Sequence, residues 1–228
     1  MLGTPFASEA GRTARTRRVA VAGGPVTVAD AGDVVFLQRH GSGRYVPPHA
    51  IDHHAHAAAL VRLGCDRVLG LSSVGALHDR YPVGTVLVPD DFVALTAGGA
   101  PRFADARGHG VPGFDQAWRD RVLAAWRAHA GDPPIDGGTY WQVAGPRFET
   151  AAEVRFLAAF ADVVGMTMAS ECEALRERGI PYASVCVVDN LANGVGRAPL
   201  SVEEFETGKA ANRDALLPIL RRVVEDLA

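Results

Sequence analysis

The sequence predicts an α/β fold, a mixed central β-sheet flanked by helices within one domain spanning residues 1–228, and three observations carry that prediction. Short Val-rich runs alternate with longer segments of helical period along the chain, the order from which α/β architectures are built. The chain has 228 residues, of which 48% are hydrophobic, enough to bury a full core and too many for a disordered polymer. Polar side chains recur where the apolar strands end, and open α/β sheets gather ligand-binding groups at such ends. No internal repeat or low-complexity tract interrupts the pattern.

The elements follow in order. Gly23-Gly24-Pro25 leads into an early strand, and Val34 to Gln38 is a further one. Ile51 to Leu63 has helical period, and Arg67 to Ser72 is a strand. Val83 to Leu95 is extended, a pair of strands broken near Pro89. Gly98 to Gly113 is a Gly-rich loop too long for a plain connector, of the kind that covers sites. From Gln116 to His129 apolar positions recur three and four apart, which predicts a helix. After the Gly-Pro-rich loop at Gly131 to Gly138 come a strand at Thr139 to Val143, a helix at Ala151 to Phe160, a strand at Asp162 to Met166 and a helix at Glu171 to Arg178. Pro181 to Val188 is an apolar strand. The closing helix runs from Ser201 to Ala228, with Ser201 as its cap and Glu203 and Glu204 in the first turn, where the helix dipole favours anions.

Composition excludes several classes. The formal charge is −3, and Lys and Arg are scattered apart from Arg12, Arg15, Arg17 and Arg18, so nucleic acid is not an expected partner. The three cysteines, Cys65, Cys172 and Cys186, show no CxxC spacing and fit a reducing compartment. No window approaches the roughly 18 apolar residues of a membrane span, and the first residues lack the apolar stretch of a secretion signal. The expectation is a soluble cytoplasmic protein with no membrane partner.

The strand ends carry the chemistry. Arg39 and His40, before Gly41, suit an anion, although a solvated pair at a strand end would look the same. Ser72 and Ser73, followed by Val74 and Gly75, offer hydroxyls and amides to phosphate or sugar oxygens. Gly145-Pro146-Arg147-Phe148-Glu149-Thr150 opens a helix with an aromatic face beside a carboxylate, where a flat ligand could stack. On spacing alone, Phe148 could equally be core and Thr150 or Glu149 a cap. Thr167 ends one later strand, and Asp189 with Asn190 ends the next.

Taken together, Arg39-His40-Gly41, Tyr45-Val46-Pro47-Pro48-His49, the Ser-Val-Gly turn, the Gly145 to Thr150 run and Val164-Gly165-Met166-Thr167 with Glu171 resemble the trimeric purine nucleoside and methylthioadenosine phosphorylases. The resemblance runs from about Gly24 to the C-terminus. It implies phosphorolysis in purine salvage, with inorganic phosphate as co-substrate, no cofactor or metal, and a homotrimer or dimer of trimers whose active sites lie beside subunit boundaries. By the same resemblance Arg39, His40, Ser72 and Thr167 bind phosphate, Ser73 joins the substrate site, and Met166 lies against the ribose. Phe148 flanks the base. Asn190 bonds the purine N7 and the six-position substituent, stabilising charge on the leaving base, so Asn190, Glu149 and His40 form the catalytic set. A 6-oxopurine presents an N1 hydrogen that Glu149 accepts, whereas adenine presents a bare acceptor, so the expected base is of the inosine or guanosine type. Val202 falls where the family meets the sugar's 5′ group, and His109 would reach the same region from a neighbouring subunit. An apolar residue there points to 5′-modified substrates such as 5′-methylthioinosine.

The chain also departs from that pattern. The family's N-terminal strand and Gly-rich phosphate loop are truncated or atypical, with Leu2-Gly3-Thr4-Pro5-Phe6 as a remnant in which Thr4 supplies a hydroxyl and Pro5 has no amide hydrogen. Asp52-His53-His54-Ala55-His56 is histidine-rich. If helical, His49, His53 and His56 share a face at spacings of four and three, which keeps a metal-dependent hydrolase open beside an adenine-type methylthioadenosine phosphorylase and an inactive nucleoside-binding relative. Asp189 stands where relatives carry Thr or Val, and Ser170 where they carry Pro. An extra carboxylate at Asp189 would bear on base choice.

Overall fold

A computed structural model describes residues 13–95, 102–196 and 200–228. β1 (Arg15–Val21) and β2 (Gly24–Asp30) form an antiparallel hairpin, and β3 (Val35–Phe36) completes a small three-stranded sheet. Gly23 and Gly24, at φ 98° and 120°, take the left-handed backbone at the turn, where a side chain would be strained. Val26 and Val28 of the hairpin pack on Ala55 and Ala59 of α1 (His53–Arg62). That helix begins where the Asp52 carboxylate accepts the Ala55 N–H at 2.8 Å. The extended run ending at Gln38 is therefore shorter than its apolar pattern predicts, and it belongs to the hairpin sheet. Beyond Phe36 the chain turns away to carry Arg39 and His40.

The larger sheet is built from β4 (Val68–Ala76), β5 (Val86–Val88), β6 (Asp91–Val93), β7 (Ile135–Asp136), β8 (Thr139–Gln142), β9 (Val163–Gly165) and β10 (Tyr182–Leu191). Its order is β6-β8-β9-β4-β10-β5-β7, with parallel and antiparallel pairs mixed. Residues Tyr182 to Asn190 of β10 are buried, as a central strand covered on both faces requires. The chain does break near Pro89 as expected, but β5 and β6 do not pair with each other. They lie towards opposite ends of the sheet, β5 on β10 and β6 on β8.

Four further helices cover the sheet: α2 (Gln116–His129), α3 (Ala151–Leu157), α4 (Met168–Arg176) and α5 (Val202–Leu227). Asp115 caps α2 through Trp118 N at 2.8 Å, and Ser201 caps α5 through Glu204 N at 3.0 Å. Thr150 and Glu153 form a reciprocal capping box at α3. α4 starts three residues before its predicted start at Glu171. No side chain of its own caps it; the Tyr140 hydroxyl accepts the Thr167 and Met168 N–H groups at 3.2 and 3.4 Å. Ser170 adds a backbone N–H that a proline would lack, donated to Gln142 Oε1 at 3.0 Å. One core lies between the sheet and α1 with α4, including Leu60, Val74, Met168, Cys172 and Val188. A second lies under α2 and α5, including Val122, Trp126, Val185, Leu220 and Val223. Both cores press on β4 and β10, the first on Val74, Ala76 and Val188 towards their C-terminal ends and the second on Leu69, Leu71, Ala183 and Val185 nearer their starts.

Candidate active site

A cavity of about 1130 Å³ opens where β4, β9 and β10 end. Its lining includes Arg39, His40, Ser73, Phe148, Glu149, Met166, Thr167 and Asn190, contributed by segments far apart in the chain.

At one end the Arg39 guanidinium is oriented before any ligand arrives. Its Nε and Nη2 donate to the two oxygens of Glu171 at 3.3 and 3.1 Å, and Nη1 donates to the Leu71 carbonyl at 2.9 Å. Three of the five guanidinium N–H groups are thereby engaged, and two remain for an anion. The Tyr182 hydroxyl donates to Glu171 Oε2 at 2.7 Å. Burial pushes the Glu171 carboxyl up, but Arg39, with His53 and Tyr182, outweighs it and the carboxyl stays ionised below its ordinary value. Since α4 is capped by Tyr140, the Thr167 hydroxyl is not consumed at the helix end. Ser73 lines the cavity, and its hydroxyl has no partner among the described residues. Ser72, one residue earlier on the pleated strand, is buried with an unpartnered hydroxyl and lies outside the lining.

His40 is held differently from a phosphate-binding cation. Its Nδ1 lies 2.9 Å from the Val46 carbonyl, which can only accept, so Nδ1 carries the hydrogen. Burial lowers the imidazole to about 4, so the ring is neutral at pH 7 and Nε2 is an acceptor. Tyr45 stacks on it with ring centroids 5.6 Å apart. The neutral ring therefore offers Nε2 as a hydrogen-bond acceptor rather than as a charged donor.

The other end is apolar with buried polar groups. Glu149 is 9% exposed, and burial raises its carboxyl. Asn193 Nδ2 donates to the Glu149 carbonyl at 3.3 Å and holds the loop. Asn190, 4% exposed, donates from Nδ2 to the Leu191 carbonyl at 2.9 Å. Phe148 meets Phe205 of α5 edge to face at 5.6 Å. Gly145, at φ 63°, lies where a Cβ would overlap the Met166 sulfur, so its lack of a side chain leaves Met166 room at the wall.

Several expectations change on this geometry. His49 is exposed in a 3-10 turn, Pro48–Ala50, ahead of α1, and does not share the helix face of His53 and His56. Those two line the cavity with ring centroids 6.4 Å apart, and burial lowers both, His53 to about 4. Among the described residues no group of three His, Cys, Asp or Glu side chains could hold a metal ion. Asp189 is not at the base pocket: its carboxylate accepts from Asn212 Nδ2 of α5 at 2.7 Å. Val202 is 67% exposed and does not line the cavity; His109, expected to serve a neighbouring subunit, is exposed in a 3-10 turn, Ala106–His109. Thr4 lies outside the described residues. Conversely, Phe205, Glu206 and Lys209 line the cavity unanticipated. Helical spacing from Val202 would have found them, since they follow it at three, four and seven residues.

The family model of the phosphorylase superfamily matches residues 2–225. A probable 6-oxopurine nucleoside phosphorylase of Archaeoglobus fulgidus is 38% identical over 196 residues, 86% of this chain and 80% of that one. A probable S-methyl-5′-thioinosine phosphorylase of Xanthomonas campestris is 37% identical over 172 residues, 72% of this chain and 68% of its own. Among solved structures, a point variant of the adenosine/methylthioadenosine phosphorylase of Schistosoma mansoni, in complex with adenine, superposes with a TM-score of 0.80 at 25% identity, covering 94% of this chain and 86% of that one.

Proposed function

The chain belongs to the phosphorylase superfamily, and on that premise we propose that it phosphorolyses purine nucleosides of the 6-oxo type, releasing free base and a pentose 1-phosphate. The observation that carries the reading is one cavity with an anion-matched end at Arg39 and a base-matched end at Glu149 and Asn190. Phosphate is held by the two free Arg39 N–H groups and the Thr167 and Ser73 hydroxyls, while His40 Nε2 accepts a hydrogen from phosphate or the ribose. A phosphate oxygen forms its bond to C1′ as the C1′–N9 bond breaks, and the bonding pair leaves with the purine. Positive charge grows on the sugar beside the polarisable Met166 sulfur, and negative charge on the base, where Asn190 bonds N7 and the six-position oxygen. Glu149 accepts the N1 hydrogen. A buried carboxylate opposite the bare N1 of adenine would leave two acceptors face to face, which disfavours that base.

The 5′ end and the assembly belong to the same reading. The exposure of Val202 and His109 supports a homotrimer in which a neighbouring subunit covers this edge and brings His109 to an apolar 5′ group. Inorganic phosphate is the co-substrate and no cofactor is used. Among the described residues no helix is long and apolar enough to cross a membrane, and the reading places the enzyme in the cytoplasm. A panel of inosine, guanosine, adenosine, 5′-methylthioinosine, 5′-methylthioadenosine and uridine, with base release followed by chromatography, tests the base, the 5′ group and the need for phosphate. Inosine-type substrates are expected to react only with phosphate present, and base release in phosphate-free buffer would exclude phosphorolysis.

A further inference from the structure

An irregularity in β10 lies beside the base end of the cavity. β10 follows β4 residue for residue from Tyr182 beside Val68 to Val188 beside Val74, and then the register shifts. Asn190 rather than Asp189 partners Gly75, and Leu191 partners Ala76. An extra residue in one strand is a β-bulge, and it turns every later side chain to the opposite face. Here that decides which residue meets the ligand. Ser73, Val74 and Gly75 line the cavity, whereas Ala76 lies in the core and outside the lining. In unbroken register Asp189 would stand beside Gly75, and Asn190 would turn with Ala76 into the core. The bulge places Asn190 beside Gly75, where it lines the cavity. Gly75 leaves it space, since a Cβ there would stand 3.1 Å from Asn190 Nδ2.

Asp189 is the additional residue, and α5 grips it. Its carboxylate, 4% exposed, accepts from Asn212 Nδ2 at 2.7 Å, and the same nitrogen donates to the Val188 carbonyl at 2.9 Å. One amide thus spans both residues of the bulge. Gly208, one turn earlier on the same face of α5, lies so close to the Asp189 carbonyl that a Cβ would overlap it. From the other side, Gly84 N donates to the Val188 carbonyl and Val188 N to the Thr85 carbonyl, each at 2.9 Å. A carboxylate buried on an amide rather than a cation is a costly way to fill a strand position. It does not line the cavity itself.

We infer that Asp189 and Asn212 are positioning residues for Asn190: they fix the bulge that turns the Asn190 amide towards the base. Through α5 they also tie that amide to the turn that brings Phe205, Glu206 and Lys209 to the same cavity. The inference rests on the reading of Asn190 as the leaving-group contact, and a double-mutant cycle separates the two.

With inosine and phosphate, Asn190→Ala is expected to lower kcat about 100- to 1000-fold. Asp189→Ala and Asn212→Ala are each expected to lower it about 10- to 100-fold through misplacement of the amide, while the KM for phosphate stays within about twofold. Asp189→Asn, which keeps an acceptor oxygen in place, restores most of the turnover. In the Asn190→Ala background Asp189→Ala has no further effect, because the group it positions is gone. If the two losses instead multiply, Asp189 is merely structural and the inference falls. If Asn190→Ala loses turnover while Asp189→Ala keeps it, the positioning role alone is overturned. Full turnover in Asn190→Ala overturns the leaving-group reading and this inference with it. Thermal unfolding of each variant accompanies the kinetics, and should an alanine variant fail to fold, Asn212→Ser, smaller and polar but too short to span both groups, carries the same test.

Discussion

At the phosphate end of the cavity, Arg39 presents its charge already matched by Glu171, which also receives the Tyr182 hydroxyl, so β10, α4 and the chain after β3 are bonded together before a ligand arrives. At the base end, Glu149 is buried with no ion pair among the described residues, and Asn190 is bonded to the backbone of its own strand. The first end is held by paired charges from separate elements. The second is held by packing, by a strand irregularity and by one helix. Substitutions at the two ends should therefore fail in different ways: loss of folding at the first, change of substrate preference at the second.

The largest effect is expected from Glu171→Ala, which leaves the Arg39 guanidinium buried and unpaired. Breaking a buried pair from one side costs about 3–5 kcal/mol, so denaturant unfolding should show a loss of that order together with a higher KM for phosphate. An unchanged unfolding midpoint would remove the contrast between the two ends. Glu149→Gln comes next and acts on preference. The preference for inosine over adenosine in kcat/KM should fall by about one to two orders of magnitude with little change in unfolding. Gly145→Ala sharpens the comparison from the sugar side: it strains a backbone at φ 63° and displaces Met166. About 1–3 kcal/mol of stability should be lost, with a raised nucleoside KM and an unchanged phosphate KM.

A last expectation concerns pH. His40 and His53 are held at about 4 by burial, whereas in the unfolded chain they titrate near 6.5. As pH falls below about 6.5 the unfolded chain takes up protons that the folded chain refuses until about 4, so folding stability should decline across that window and be full above it. A Tm series from pH 7.5 to 4.5 checks the sign. His53→Asn should flatten the decline.

Local chemistry made much of the fold legible. The capping residue Ser201, the i, i+3, i+4 pattern of α2 and the apolar run of β10 depend on neighbours in sequence, and the structure has those elements there, with β10 running on to Leu191. Long-range pairing was not legible. Nothing local in Val83 to Leu95 says that its two strands part to opposite ends of the sheet, and the hairpin of β1 and β2 was missed although Gly23 and Gly24 mark its turn. For the site, Arg39, Phe148, Glu149 and Asn190 stood out at expected strand ends and a helix start, but position alone did not separate them from solvated, core or capping residues, and it was the family resemblance that singled them out; all four line the cavity. The acceptor role of His40 depends on the Val46 carbonyl, and the bulge at Asp189 on a helix more than twenty residues away, so neither is written in a motif.

The Arg39–Glu171 pair has a kinetic side as well. A guanidinium cancelled by a carboxylate within 3.1 Å projects little field beyond the cavity mouth, and the chain as a whole carries −3. On the proposed reading, phosphate is then recognised on contact rather than drawn in from a distance. The association rate of phosphate should vary little with ionic strength, unlike that of an anion steered by unpaired cations.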